Sequence, residues 1–436
     1  MNEDILSYVF ANMDDSVCMT GAKGEVIFMN NAAEKLFDCH DAWKNRKFTE
    51  IIPIVERNDS LIQLFIDALQ EKRKSIHALI DYENTAGNIA RLHVRITCVW
   101  EKIQYFLIVI SDLTQLTKVN SAFERYTSPE IANYVLNTEE GSREGGSRKE
   151  ITVLMSDLRG FTAISSRMSS DNLIQMVNSY FEVMTEVIDS HRGTIIEFLG
   201  DGIFVVFGAP NSLPRHAEEA VACAVEMQNA MKMVNKRNRE NGFPDLEMGI
   251  GINTGFATVG NIGSEKKMKF GCVGEVVNLA GRTESLTTGG QIYITEYTLA
   301  QMSVRPDIQE VRSFMPKGAK TPVELFRISG LGPKYQLNEA EKELLWTELP
   351  AGIPFCFQLI NEKIVTDSVH SAILYKLSKD KKYGWIKTDC SLNELQNMAM
   401  DTGEKTYAKI ISQESGGYRI CFTSKPESFS KWIKNQ

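Results

Sequence analysis

A chain of 436 residues with 48 Lys and Arg against 56 Asp and Glu has a formal net charge of −8. Its 43% apolar content is that of a globular protein, with length for roughly two to four domains. The acidic balance disfavours a nucleic-acid binder, which carries a basic face, and no stretch stays apolar for the roughly 18 residues that a membrane helix needs. The acidic start MNEDILSYVF does not read as a signal peptide, and eight scattered cysteines without a C-x-x-C pair suggest neither a zinc site nor a disulfide framework, so a cytoplasmic protein without nucleic-acid or membrane partners is expected.

In chain order, residues 1–113 read as a small α/β module. EVIFMNNAAEKLFDC runs from a strand into a short helix, ARLHVRITCVW and QYFLIVISDLT form a closing antiparallel pair, and Asp112-Leu113-Thr114 marks an exit from strand to helix. The order GAKGEVIFMNNAAEKLF resembles the opening of PAS sensor domains. His77 and His93 are the available haem-ligand candidates, although a lone histidine is more often a packed or solvated residue, and no flavin-cysteine motif is present. The ligand of this module is left unknown; it could be a small molecule, or the module could serve only dimerisation.

Residues 114–149 form a connector. Leu113, Leu116, Val119, Phe123 and Tyr126 recur at helical spacing, Pro129 opens a second short helix, and the polar Gly/Ser-rich stretch 138–149 reads as a flexible boundary. Residues 150–332 alternate strands and helices: ITVLMSD, the amphipathic DNLIQMVNSYFEVMTEVIDS, the hairpin TIIEFLGDGIFVVFG, the long helix HAEEAVACAVEMQNAMKMVNKRN, LEMGIGINTG, EVVNLAGRTESL and QIYIT. Residues 340–436 are β-rich, with strands at SAILYKLS, YGWIKTD, TYAKIISQ and GYRICFTS that suggest a small β-barrel. The fold class is α+β, multidomain.

Chemistry concentrates in the middle segment. FLGDGIFVVFGAP places Asp201 on an Asp-Gly turn, which by itself signals only a type I′ hairpin. The preceding strand ends in SDLRGFT, so Asp157 stands where strand gives way to loop. Two carboxylates at the same end of adjacent strands can hold divalent cations through oxygen, and such metals activate a hydroxyl and neutralise a transferring phosphoryl group. The main-chain amides around Gly160, Phe161 and Thr162 could cradle phosphates. Asn278 and Arg282 are four apart in VVNLAGRTES and share a helix face, which alone reads as a polar surface. Lys317 lies in the Gly-containing loop of MPKGAKTPVELF, where it binds a terminal phosphate or is merely solvated.

Five motifs in order, ITVLMSDLRGFTAIS, GTIIEFLGDGIFVVFGAP, TGFATVGNIGS, VGEVVNLAGRTESL and PKGAKTPVELF, together resemble class III adenylate/guanylate cyclases. The resemblance implies a ferredoxin-like core working as a head-to-tail homodimer on ATP or GTP, with two Mg2+ or Mn2+ ions per site. It matches Asp157 and Asp201 to the metal-binding aspartates, with the Leu158 carbonyl as a further ligand. Asn278 matches the ribose-orienting residue and Arg282 the transition-state arginine, both supplied by the partner subunit, and Lys317 matches a triphosphate contact. The base-selecting positions are Glu197, where adenylate cyclases of the family usually carry Lys, and Gly271, which has no side chain to read a base. Glu197 can accept from N1–H and the 2-amino group of guanine, whereas adenine presents an acceptor at N1; the choice between GTP and ATP stays open. FERYTSPEIANYVLN is similar to the family's element that passes state changes from sensor to core. GIPFCFQLINEK, LYKLS and TYAKIIS resemble PilZ-type barrels, without an R-x-x-x-R entry motif. The rival readings are a non-catalytic nucleotide-binding module, a diguanylate cyclase and a dimerisation scaffold.

Overall fold

The computed structural model describes residues 9–10, 12–40, 42–71, 75–100, 104–264, 266–316, 321–337, 345–361, 364–414 and 416–434. Its contacts divide the chain into two compact units, Met1–Tyr126 and Thr127–Gln436.

The first unit is a five-stranded antiparallel sheet with helices inserted after its second strand. The elements are β1 (Ser16–Gly21), β2 (Val26–Met29), α1 (Asn31–Leu36), α2 (Phe48–Ile51), α3 (Asp59–Glu71), β3 (Ser75–Glu83), β4 (Ile89–Trp100), β5 (Gln104–Asp112) and α4 (Thr114–Tyr126), with sheet order β2-β1-β5-β4-β3. Asn30 fixes the turn into α1: its side-chain oxygen accepts from the main-chain N–H groups of Ala33 and Val17. The expected exit from strand to helix is present, with the Asp112 carboxylate accepting from the Thr114 N–H at 2.8 Å. Phe37, Phe48, Phe65, Tyr82 and Phe106 fill the interior between sheet and helices. Alternation on β3 and β4 turns Ile80, Tyr82, Leu92 and Val94 inward, leaving His77 and His93 on the opposite face, their ring centroids 6.0 Å apart. Neither histidine therefore faces the interior, which accords with the ordinary reading of each as a packed or solvated residue.

The second unit begins with α5 (Pro129–Asn137), opened by Ser128 as cap with Pro129 in the first turn. Then follow β6 (Gly145–Leu158), α6 (Phe161–Ser165), α7 (Ser170–Ser190), β7 (Thr194–Leu199), β8 (Gly202–Phe207), α8 (His216–Glu240) and β9 (Met248–Ser264). Strands β9-β6-β8-β7 are adjacent and antiparallel. Numbered within the β-α-β-β-α-β run, their order is 4-1-3-2, the ferredoxin-like arrangement. The sheet continues through β10 (Lys267–Val273), α9 (Glu275–Ser285), β11 (Ile292–Thr295), α10 (Glu296–Gln301), β12 (Pro306–Phe314), β13 (Val323–Leu331) and β14 (Tyr335–Gln336).

Both sheet faces are covered. Leu154, Val205 and Ile250 pack with Tyr180 and Met184 of α7 and Val221 and Val225 of α8, while Ile151, Val153 and Val206 pack with Ile131 of α5 and Val276 and Ala280 of α9. This two-sided burial is why GIFVVF is apolar throughout, all six positions of β8 being buried.

The C-terminal part closes into a six-stranded barrel in the order β15-β16-β17-β20-β19-β18. Its strands are β15 (Trp346–Asn361), β16 (Ile364–Ser378), β17 (Tyr383–Lys387), β18 (Asn397–Asp401), β19 (Lys405–Glu414) and β20 (Gly417–Ser424), followed by α11 (Glu427–Lys434). Phe429 of α11 packs against Phe422, with centroids 4.8 Å apart.

Two local expectations change. Residues 145–149, assigned to the flexible boundary, extend β6 and pair with Ala257–Asn261 of β9, because the long β9 supplies hydrogen-bonding partners that the local composition does not reveal. The hairpin tip shifts by one residue: Leu199 pairs with Gly202, so Gly200 and Asp201 are the turn positions, and only Gly200 takes a positive φ, 70°. Glycine at the first turn position suits a II′-type rather than an I′-type hairpin.

Candidate active site

Strands β6 and β8 pair through Ser156 and Ile203, so Asp157 and the β7–β8 tip emerge at the same sheet end. Gly202 keeps the approach open: a Cβ there would stand 2.9 Å from the Ser156 carbonyl and 3.4 Å from Asp157 Oδ1. The Asp201 carboxyl accepts from the main chain of Leu158 and from its own amide, and it meets the Asp157 carboxyl. Burial first, and then the negative charge of Asp157, push the Asp201 carboxyl up to about 6. Two carboxylates pressed together form an oxygen donor set for hard divalent cations, to which a main-chain carbonyl such as that of Leu158 can add. Asp157, Asp201 and the Leu158 carbonyl are thus the residues that could hold metal.

After Leu158, Gly160 adopts φ 70° and starts the five-residue α6, its carbonyl accepting from Ala163 and Ile164. Phe161 packs partly onto the main core. The loop of Gly160, Phe161 and Thr162 therefore follows Asp157 directly, as expected from the sequence. Lys317 lies outside the described residues.

Asn278 and Arg282 occupy the outer side of α9. Val276, Leu279, Ala280 and Thr283 are buried on the inner side, Asn278 is exposed and Arg282 is half-buried. The helix lies very close to β9: a Cβ on Gly251 would come within 2.1 Å of the Glu284 nitrogen.

Glu197 lies at a register shift in β7 and is exposed. Its Oε2 is 2.5 Å from the Lys269 ammonium on β10. Two residues on, Gly271 is buried opposite Gly260 of β9. The two base-selecting candidates thus border one region, with Lys269 between them.

Sequence reasoning passed over two features. One is Lys269, whose only signal is the basic run KKMK ahead of Gly271. The other is Arg159. Its Nη1 is 3.7 Å from Asp157 Oδ2, and its Nη2 pairs with the Glu284 carboxylate and donates to the Glu284 carbonyl at 3.1 Å and to Thr287 Oγ1 at 2.6 Å. Arg159 thereby ties the Asp157 loop to the end of the helix bearing Asn278 and Arg282. A mixed-charge motif such as DLRGFT permits this link without specifying it.

Residues 145–330 match the family model described as the adenylate and guanylate cyclase catalytic domain, and residues 5–70 match a PAS domain model. Adenylate cyclase 1 of Rhizobium meliloti (strain 1021) is 27% identical over 244 residues, 53% of this chain and 37% of that protein. The terminal-differentiation specific adenylate cyclase of Dictyostelium discoideum is 33% identical over 186 residues, 41% of this chain and 9% of that protein. This chain thus spans well under half the length of either curated relative. The crystal structure of the guanylyl cyclase Cya2 is 50% identical and covers 45% of this chain and 100% of its own, with a TM-score of 0.44.

Proposed function

From the premise that residues 145–330 are a class III adenylate and guanylate cyclase catalytic domain and residues 5–70 a PAS domain, we propose that this protein converts a purine nucleoside triphosphate to its 3′,5′-cyclic monophosphate and pyrophosphate. GTP is the proposed preferred substrate, the working unit is a homodimer, and the PAS domain regulates turnover. The observation that carries the reading is the convergence of the Asp157 and Asp201 carboxyls at one sheet end, where burial first and then the Asp157 charge raise Asp201 to about 6.

The family works with divalent metal. Bound here by Asp157, Asp201 and the Leu158 carbonyl, such ions would lower the basicity of the ribose 3′-oxygen and offset charge on the triphosphate. The remaining chemistry is positioning and electrostatics. The 3′-hydroxyl gives its proton to solvent water, its oxygen attacks the α-phosphorus in line, the new P–O bond forms as the α–β bridging bond breaks, and the electron pair leaves with pyrophosphate. Main-chain N–H groups around Gly160, Phe161 and Thr162 face the phosphates. Asn278 orients the ribose, and Arg282 meets the charge that builds on the phosphorus oxygens, both from the partner subunit. No protein nucleophile is required.

The Glu197–Lys269 pair supports the guanine preference. A carboxylate oriented by an adjacent ammonium can accept from guanine N1–H and the 2-amino group, while adenine sets its N1 lone pair against that carboxylate. Gly271 leaves the other base-selecting position without a side chain.

Product formation from ATP and GTP in parallel, with Mg2+ and with Mn2+, tests the proposal. Cyclic GMP in excess is expected. Cyclic AMP in excess would remove Glu197 as the base reader. Nucleotide binding without product from either substrate would favour a non-catalytic nucleotide-binding module.

A further inference from the structure

We propose that the C-terminal barrel is a working part of the catalytic unit, with Lys409 as the positioning residue through which it holds the Asp157 loop and the Arg282 helix together. The inference rests on the cyclase reading for its functional consequence, but its structural half is independent of it.

Lys409 belongs to β19, yet its ammonium leaves the barrel and donates to two carbonyls of the core, Ser285 at 2.5 Å and Thr287 at 2.9 Å. Ser285 is the last residue of α9 and Thr287 lies two beyond, where main-chain carbonyls lack helical partners and carry the negative end of the helix dipole. The side chain is only 2% exposed. A lysine this deeply buried is uncommon in a merely solvated strand, and charge is tolerated there only when it is paired.

The pairing runs toward the site. Glu284 and Thr287 flank the carbonyls that Lys409 holds, and both are bound by Arg159, which reaches Asp157. Lys409, the main chain of 285–287, Glu284, Arg159 and Asp157 thus form a continuous polar chain from the barrel to a proposed metal ligand. Two more barrel residues grip the same loop. Lys382 pairs with the Glu247 carboxylate at 2.8 Å, and the Glu247 carbonyl accepts the Arg159 N–H at 2.7 Å. The Thr423 carbonyl lies 2.7 Å from where a Cβ on Gly160 would stand. Three contacts from separate parts of the barrel, two strands and the β16–β17 turn, therefore converge on residues 159–160 and their partners. A seam whose only role is to bury surface has no need to converge there.

The test uses the full-length chain with Lys409→Met, which keeps the stem and removes the donor, Lys409→Arg as the conservative rescue, and Glu284→Gln, which cuts the link from the core side. Hydrogen exchange is read without metal or nucleotide, and turnover is read against Mn2+ concentration. Losing a buried charged donor should speed exchange in 157–162 as well as in 285–289 by about tenfold. In turnover, kcat should fall by a comparable factor and half-saturating Mn2+ should rise, with KM for nucleotide little changed, and Lys409→Arg should restore most of both. Glu284→Gln should loosen 157–162 without disturbing the barrel, and it decides the matter if Lys409→Met fails to fold. Exchange that rises only in 285–289, or Mn2+ dependence unchanged in both variants, overturns the inference. Wild-type protein without turnover would overturn the cyclase reading instead, and the exchange data would still decide whether the barrel holds the Asp157 loop.

Discussion

A carboxyl raised to about 6 by burial and by a neighbouring carboxylate is a cost to the fold unless a cation relieves it. Asp201→Ala is therefore expected to abolish turnover without lowering the melting temperature of the metal-free protein. Mn2+ should raise the melting temperature of the wild type and not of the variant. Thermal melts with and without Mn2+, alongside a product assay, check both halves; a variant that cyclises normally removes Asp201 from the site. Glu197→Gln makes a sharper test of base reading, because the amide keeps one acceptor and adds a donor that suits adenine N1. The ratio of kcat/KM for GTP over ATP should fall by about tenfold, in line with the loss of one charge-assisted hydrogen bond to the base. Asp201 was singled out in the sequence by its place at a strand–turn boundary and Glu197 by the resemblance to the cyclase family, and these two experiments test both roles. Lys269 was not singled out, since it reaches Glu197 only through the register of the β9–β10 ribbon, which local pattern does not set.

The elements were legible where one periodicity ruled them. Helix α7, the continuous run of β8 and the proline-opened α5 follow from spacing alone. Strands β15 and β18 of the barrel escaped notice as complete elements because Pro354 interrupts the first and the second, NMAMD, has no β-branched or aromatic residue. The run MGIGINTG reads simply as an alternating strand, but the packing explains its glycines. The Arg159 guanidinium lies 1.9 Å from where a Cβ on Gly249 would sit, and the backbone of α9 occupies that place over Gly251. Helix, arginine and strand can meet only across a bare backbone. Gly251→Ala is therefore expected to push α9 off β9, destabilising the core by about 1–3 kcal/mol as overpacking does. Because α9 carries Asn278 and Arg282, turnover should fall well beyond the loss of folded protein. Denaturant titration and assay of the folded fraction separate the two effects; a variant with unchanged kcat would mean that α9 need not lie so close.

At the scale of the whole molecule, the barrel itself was visible in four strand candidates, but nothing in TYAKIISQ marks Lys409 as different from any strand lysine. Only the tertiary fold buries it, and burial pushes its ammonium down to about 7. Its folded value thus lies below its unfolded one, so the cost of charging it is fully present below pH 7 and is relieved as pH rises from 7 toward 10.5. The melting temperature of the wild type measured against that of Lys409→Met should accordingly improve between pH 7 and pH 9; a constant difference would mean that the amine stays charged.

Assembly is the larger question, because in the proposed homodimer the carboxylates would come from one subunit and Asn278 and Arg282 from the other. Asp201→Ala and Arg282→Ala should each be nearly inactive alone, with Arg282→Ala losing kcat far more than nucleotide affinity. Mixed together, they should recover activity. Each mixed dimer carries one site with both residues intact and one with neither, and random pairing makes half the dimers mixed, so about a quarter of wild-type turnover should return. A mixture as inactive as its components would place Arg282 in the same chain's site, where the Arg159–Glu284 bridge already brings its helix toward Asp157.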